Sequence, residues 1–172
     1  ATLESAVVRL LREKKLTVAT AESCTGGSLA GRLTNVPGAS EVFLAGYVTY
    51  ANQAKENTLG VPANLLDAHG AVSEPVAVAM AEGARRISGA QYALSTTGIA
   101  GPGGGTESKP AGTVYLGLAS AGHPTVVRRC YFPLDRATFK HMATSAALDL
   151  LRRQVLGLSL ELGGGSSSPR LG

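Results

Sequence analysis

Leu16-Thr17-Val18-Ala19-Thr20-Ala21-Glu22-Ser23-Cys24-Thr25-Gly26-Gly27-Ser28-Leu29 sets the architecture of the chain. Residues 16–21 form a short, partly β-branched apolar run, the pattern of a buried strand. Small and polar residues follow from Glu22 to Gly27. Leu29, Leu33 and Val36 then recur at helical spacing until Pro37-Gly38 stops the pattern. The order is strand, small-residue turn, helix.

Elements on either side extend this unit. Leu3, Val7, Leu10 and Leu11 predict an amphipathic helix over residues 3–14. Residues 43–50 are apolar on both alternating sets, as expected of a strand covered on two faces. Asn52 is the expected N-cap of a short helix ending near Gly60, with Lys55 one turn in. Another short helix lies between Val61-Pro62 and His69-Gly70. Ser73-Glu74-Pro75 opens the clearest helix, reaching about Ile87. Residues 92–97 predict a third strand, residues 113–119 and 125–132 a hairpin, and residues 136–155 a long helix capped by Asp135. The alternation predicts one α/β domain over residues 1–160, a three-layer α/β/α fold with a mixed, mainly parallel sheet of about five strands. Residues 161–172, rich in Gly and Ser, read as a disordered tail.

Composition narrows the function classes. The 172 residues are 44% hydrophobic and only 16% charged, which excludes a charge-driven disordered chain. Glycine, at 22 residues, is nearly twice its usual share of about 7%, without a collagen period. A net charge of +4 is scattered in single residues and pairs, aromatics are 5% and Trp is absent. Nucleic-acid binding is therefore not expected, whereas a small anionic ligand is. Cys24 and Cys130 stand far apart with no zinc spacing, so neither a metal nor a cofactor is expected. No apolar run approaches the roughly 18 residues of a membrane span, and the first residues read as a helix rather than a signal peptide. The expectation is a cytoplasmic protein without membrane contact.

Signatures of α/β-hydrolase elbows, metalloproteases, kinases and dinucleotide-binding folds are all missing. Two features remain, each on a connection after a predicted strand, where open α/β sheets place ligands. The first is the turn of Ser23, Thr25, Gly26 and Gly27 at a helix N-terminus, either an anion seat or a well-capped tight turn. The second is the connection from Gly98 to Gly112, six glycines in 15 residues, either a ligand-wrapping loop or a plain mobile one.

Several longer motifs go further. Thr20-Ala21-Glu22-Ser23-Cys24-Thr25-Gly26-Gly27, Tyr47-Val48-Thr49-Tyr50 with Asn52 and Lys55, His69-Gly70-Ala71-Val72-Ser73-Glu74-Pro75, and Thr97-Gly98-Ile99-Ala100-Gly101-Pro102 with Lys109-Pro110-Ala111-Gly112-Thr113-Val114 occur in this order. Together they resemble the CinA C-terminal domain family, whose stand-alone members are nicotinamide mononucleotide deamidases. The resemblance implies a metal-independent serine amidohydrolase that converts nicotinamide mononucleotide to nicotinate mononucleotide and ammonia in pyridine nucleotide salvage. It carries over Ser40 as nucleophile, Lys55 as base and Tyr50 as helper, with Thr97 and Arg136 as further active-site positions. Gly98, Gly101, Gly103 and Gly104 fall in the implied substrate loop. The same resemblance allows an alternative, a catalytically silent nucleotide-binding or interaction domain of a fused competence-associated protein. The start at the first helix fits a stand-alone protein or a piece of such a fusion.

The chemistry is coherent, since a lysine with a depressed pKa can take the proton of a serine hydroxyl. One geometric tension accompanies Ser40. A straight strand over residues 43–50 spans roughly 26 Å at about 3.3 Å per residue, placing Ser40 and Lys55 at opposite ends. Either that strand is short or bent, or the site joins two subunits of a homo-oligomer.

Overall fold

A computed structural model describes residues 2–161. Apart from Glu161, the expected tail lies outside the described residues. The elements run α1 Leu3–Lys14, β1 Val18–Glu22, α2 Ser28–Thr34, β2 Phe43–Val48, α3 Asn52–Leu59, α4 Ala63–His69, α5 Glu74–Ser88, β3 Tyr92–Gly98, β4 Thr113–Ser120, β5 His123–Tyr131 and α6 Arg136–Leu156. A single 3-10 turn, Ala39–Glu41, precedes β2.

The five strands form one mixed sheet in the order β2-β1-β3-β4-β5. β1 pairs in parallel with both β2 and β3, while β3–β4 and β4–β5 are antiparallel. Helices cover both faces, giving the expected α/β/α layering. On one face Val7, Val8 and Leu11 of α1, Leu29 and Leu33 of α2, and Phe139, Leu148 and Leu151 of α6 pack on Leu94, Leu116 and Leu118. On the other, Leu59, Leu66, Val76 and Met80 pack on Ala19, Ala21 and Ala93. Each of these large side chains contributes about 1.5–3 kcal/mol by leaving water. Small residues on the second face let α5 approach closely. A Cβ on Gly117 would meet the Ala77 carbonyl of α5 at 2.7 Å.

Two expectations change. β2 is an edge strand rather than one covered on both faces, and Leu44 and Val48 are about half exposed. Its double apolar pattern combines one half-buried set, Phe43, Ala45 and Tyr47, with one open set. Asn52 is the first residue of α3 rather than its cap, a position taken by Ala51 in extended conformation. Among the described residues no helix is long and apolar enough to cross a membrane.

The chain leaves β1 through α2 to reach β2 on one side, and returns through α3, α4 and α5 to β3 on the other side. These opposite crossovers open a crevice at the carboxyl ends of β1, β2 and β3, the usual ligand position in such sheets.

Candidate active site

Three chain segments meet in that crevice. β1 ends into Ser23, β2 ends into Thr49-Tyr50 and then α3, and β3 ends at Thr97-Gly98. Lys55, on the second turn of α3, is 1% exposed. Its Nζ lies 2.9 Å from the Thr49 carbonyl, 3.0 Å from the Tyr50 carbonyl and 3.1 Å from the Ser23 hydroxyl. No carboxylate pairs with it among the described residues. Burial therefore holds its pKa below the ordinary lysine value, because removing the charged form from water is unfavourable and no anion offsets this. The three contacts match the tetrahedral nitrogen. The charged amine donates to all three oxygens; once neutral, two N–H groups can serve the two carbonyls, which leaves the lone pair for the Ser23 O–H. That is the geometry of a general base on a serine nucleophile.

The turn carrying Ser23 is held from beneath. Ser23 N–H donates to the Thr96 carbonyl at 3.0 Å, and Gly26 N–H donates to the Ser23 carbonyl at 3.1 Å. Glu22, fully buried, accepts from the backbone N–H groups of Leu29 at 2.8 Å and Ala30 at 3.0 Å and from the Thr25 hydroxyl. The Thr25 hydroxyl also lies 2.7 Å from that of Thr96. Thus the protein's own carboxylate occupies the positive end of α2 that was expected to seat a substrate anion. Thr25, 1% exposed, supports the turn instead of lining the site. Gly26 and Gly27 serve its backbone, at φ +60° and +102°.

Cys24 sits beside Ser23, and burial pushes its thiol up to about 12. It stays protonated at neutral pH, so the hydroxyl paired with Lys55 is the stronger nucleophile candidate.

A cavity of about 210 Å³ opens over the pair, bounded by Ser23, Cys24, Tyr50, Lys55, Thr97, Gly98 and Arg136. Ala71, Val72 and Ala100, which stand in the motifs but are not among the expected site residues, complete its apolar wall. Thr97 donates its hydroxyl to the Ala71 carbonyl at 2.8 Å, tying the connection before α5 to β3. Arg136, at the start of α6, donates to the Gly101 carbonyl at 2.8 Å and to the Tyr50 hydroxyl at 3.2 Å. Tyr50 and Arg136 thereby form the rim. A larger cavity of about 630 Å³, between α5 and the α3–α4 connection, includes Pro62, Val78 and Arg86. It has no nucleophile–base pair, so chemistry belongs in the smaller one.

Not every expected residue arrives. Ser40 is exposed in the 3-10 turn before β2, at the amino edge of the sheet. Because β2 runs six residues, with one register shift against β1 at its start, Ser40 lies roughly 20 Å from the Lys55 end. Within one chain Lys55 therefore meets Ser23, not Ser40, and β2 is neither short nor bent enough to join Ser40 to Lys55. Gly103 and Gly104 are exposed and do not bound the cavity. Their loop folds back on itself: Thr106 N–H donates to the Lys109 carbonyl at 2.8 Å, and Gly105 bridges Pro110. Of its glycines, Gly98 lines the cavity and Gly101 anchors Arg136. The position of Ser23 was recoverable in principle. In parallel neighbours, residues just after the strands share one edge, whereas a residue just before a strand lies at the other.

The chain is similar to known proteins in both sequence and fold. The family model described as CinA C-terminal domain matches residues 1–155. A CinA-like protein of Akkermansia muciniphila is 55% identical over 148 residues, covering 86% of this chain and 36% of that protein. A CinA-like protein of Geobacter sulfurreducens is 53% identical over 155 residues, covering 90% and 37%. The chain thus spans less than half the length of the curated relatives it matches. Among solved structures, the competence damage-inducible protein A of Klebsiella pneumoniae superposes with a TM-score of 0.87 at 36% identity, covering 91% of this chain and 97% of that one.

Proposed function

This chain belongs to the CinA C-terminal domain family, and we propose that it is an amidohydrolase that converts nicotinamide mononucleotide to nicotinate mononucleotide and ammonia through a Ser23–Lys55 pair. The observation that carries this reading is the 3.1 Å contact between Lys55 Nζ and Ser23 Oγ, with Nζ otherwise held by two carbonyls. The substrate is inferred from the motif resemblance, with support from the small cavity and the cation at its rim.

In the proposed reaction Ser23 Oγ attacks the carboxamide carbon while its proton passes to the Lys55 lone pair. The tetrahedral intermediate collapses as the new ammonium of Lys55 returns that proton to the departing nitrogen, releasing ammonia and leaving an ester on Ser23. Water then attacks the ester, with Lys55 again taking the proton, and the carboxylate product leaves as the serine hydroxyl is restored. Of the turn's backbone donors, the N–H groups of Cys24 and Thr25 are left for the developing oxyanion, since that of Gly26 serves the Ser23 carbonyl and those of Leu29 and Ala30 serve Glu22. Tyr50, braced by Arg136, closes one side of the cavity.

Ammonia release from nicotinamide mononucleotide tests this reading. Ser23→Ala and Lys55→Ala should each lower turnover by at least about a thousandfold, as loss of a nucleophile or its base does. Ser40→Ala should retain it. Unchanged turnover in Ser23→Ala would remove the proposed nucleophile. A folded parent protein that releases no ammonia would favour the second reading, a nucleotide-binding or interaction module, which the competence-damage names of its relatives keep open.

A further inference from the structure

Resting on the amidohydrolase reading, we propose that α6 carries an anion clamp, Arg136 together with Lys140, that holds the phosphate of a nucleotide monoester and selects phosphorylated over unphosphorylated amides. The two residues are four apart on one helix, hence stacked on one face about 6 Å apart along the axis. Arg136 stands at the rim of the cavity. Lys140 Nζ hangs over the turn that bears Ser23, 3.6 Å from where a Cβ on Gly26 would be.

Neither cation is neutralised. Arg136 donates only to uncharged oxygens, the Gly101 carbonyl and the Tyr50 hydroxyl. No carboxylate lies within 4 Å of either charged group among the described residues, and Asp135 beside them is turned to the N–H and hydroxyl of Thr138. Lys140 is half-buried, so its charge is less screened than that of a free surface lysine.

The alternative anion seat in this neighbourhood is closed, because Glu22 occupies the donors at the start of α2. A phosphate near Ser23 is then met by side chains, with Lys140 over Gly26 of the turn and Arg136 at the cavity rim. Gly26, exposed at φ +60°, leaves that ground free of any side chain. An arginine fork supplies two parallel donors to a phosphate and a lysine supplies a point charge, so the pair suits a dianionic monoester.

The test compares the parent with Lys140→Ala and Lys140→Arg, using nicotinamide mononucleotide, its dephosphorylated nucleoside, and inorganic phosphate as probes. In Lys140→Ala, KM for the mononucleotide should rise about tenfold with kcat within about twofold, and Lys140→Arg should restore it. Turnover of the nucleoside, which has no phosphate, should not respond to either change. Titration of the parent and both variants with inorganic phosphate reads the same subsite without any turnover. Weaker phosphate binding in Lys140→Ala supports the clamp even if no amide is hydrolysed, an outcome that sinks the amidohydrolase reading alone. A folded Lys140→Ala variant with unaltered KM and unaltered phosphate binding overturns the clamp, as does a parent that binds no phosphate.

Discussion

Lys55 Nζ and Ser23 Oγ lie 3.1 Å apart although 32 residues separate them in the chain. Each follows a strand, and because β1 and β2 are parallel neighbours, both segments emerge at the same edge of the sheet. The carbonyls of Thr49 and Tyr50 then hold the amine so that only its third direction, toward Ser23, is free to take a proton.

This contact dictates a pH profile. A base must be neutral to act, and burial lowers the pKa of Lys55. The kcat/KM of ammonia release should rise with pH and level off above that lowered pKa, well before the ordinary lysine value of about 10.4. A steady-state profile from pH 5 to 10 checks it; activity rising only near pH 10.4 would contradict a depressed base.

Stability should carry the same signature. The folded chain binds the Lys55 proton less tightly than the unfolded chain, so between the lowered pKa and about 10.4 the unfolded state holds more protons. The parent should therefore gain stability relative to Lys55→Met as pH rises through that window, and should show a constant difference below it. Urea unfolding of both proteins at several pH values reads this directly.

Glu22 should matter to the fold as much as to the site. Its buried carboxylate satisfies two N–H groups at the start of α2 and the Thr25 hydroxyl. Glu22→Ala leaves the two N–H groups without acceptors, while Thr25 keeps the Thr96 hydroxyl, at a cost of about 3 kcal/mol. For a domain of this size that corresponds to a Tm lower by roughly 10 °C. Calorimetry measures it, and a drop of only a degree or two would show that water replaces the carboxylate.

Two glycines of the long connection should behave oppositely. A Cβ on Gly98 would stand 2.6 Å from the Thr113 carbonyl and 3.0 Å from Val114 Cα, backbone atoms that cannot turn aside. Gly98→Ala should lose about 3 kcal/mol or fail to fold. A Cβ on Gly103 would meet nothing within 4 Å, so Gly103→Ala should stay within about 0.5 kcal/mol of the parent. Thermal melts of the pair separate a packed glycine from a loop glycine.

Local pattern alone determined most of the architecture of this protein. The apolar spacing of α1, the small-residue turn after β1, the Ser73-Glu74-Pro75 start of α5 and the Asp135 cap of α6 are encoded within a few residues of each other. They could be seen before any long-range contact was known, and the motif order was enough to show the family. The family resemblance had likewise grouped Lys55, Tyr50, Thr97 and Arg136, and all four line one cavity. Their company was not legible in the sequence. Which serine faces Lys55 depends on the parallel pairing of β1 with β2, which brings Ser23 to the lysine and leaves Ser40 a strand's length away. That Glu22 closes the end of α2, and that Lys140 reaches over Gly26, depend on how α2 and α6 pack on the sheet. A strand or a helix follows from the period of its own side chains, whereas a proton path or an anion seat follows from distances of a few ångströms between residues far apart in the chain. Only the packed fold sets those distances.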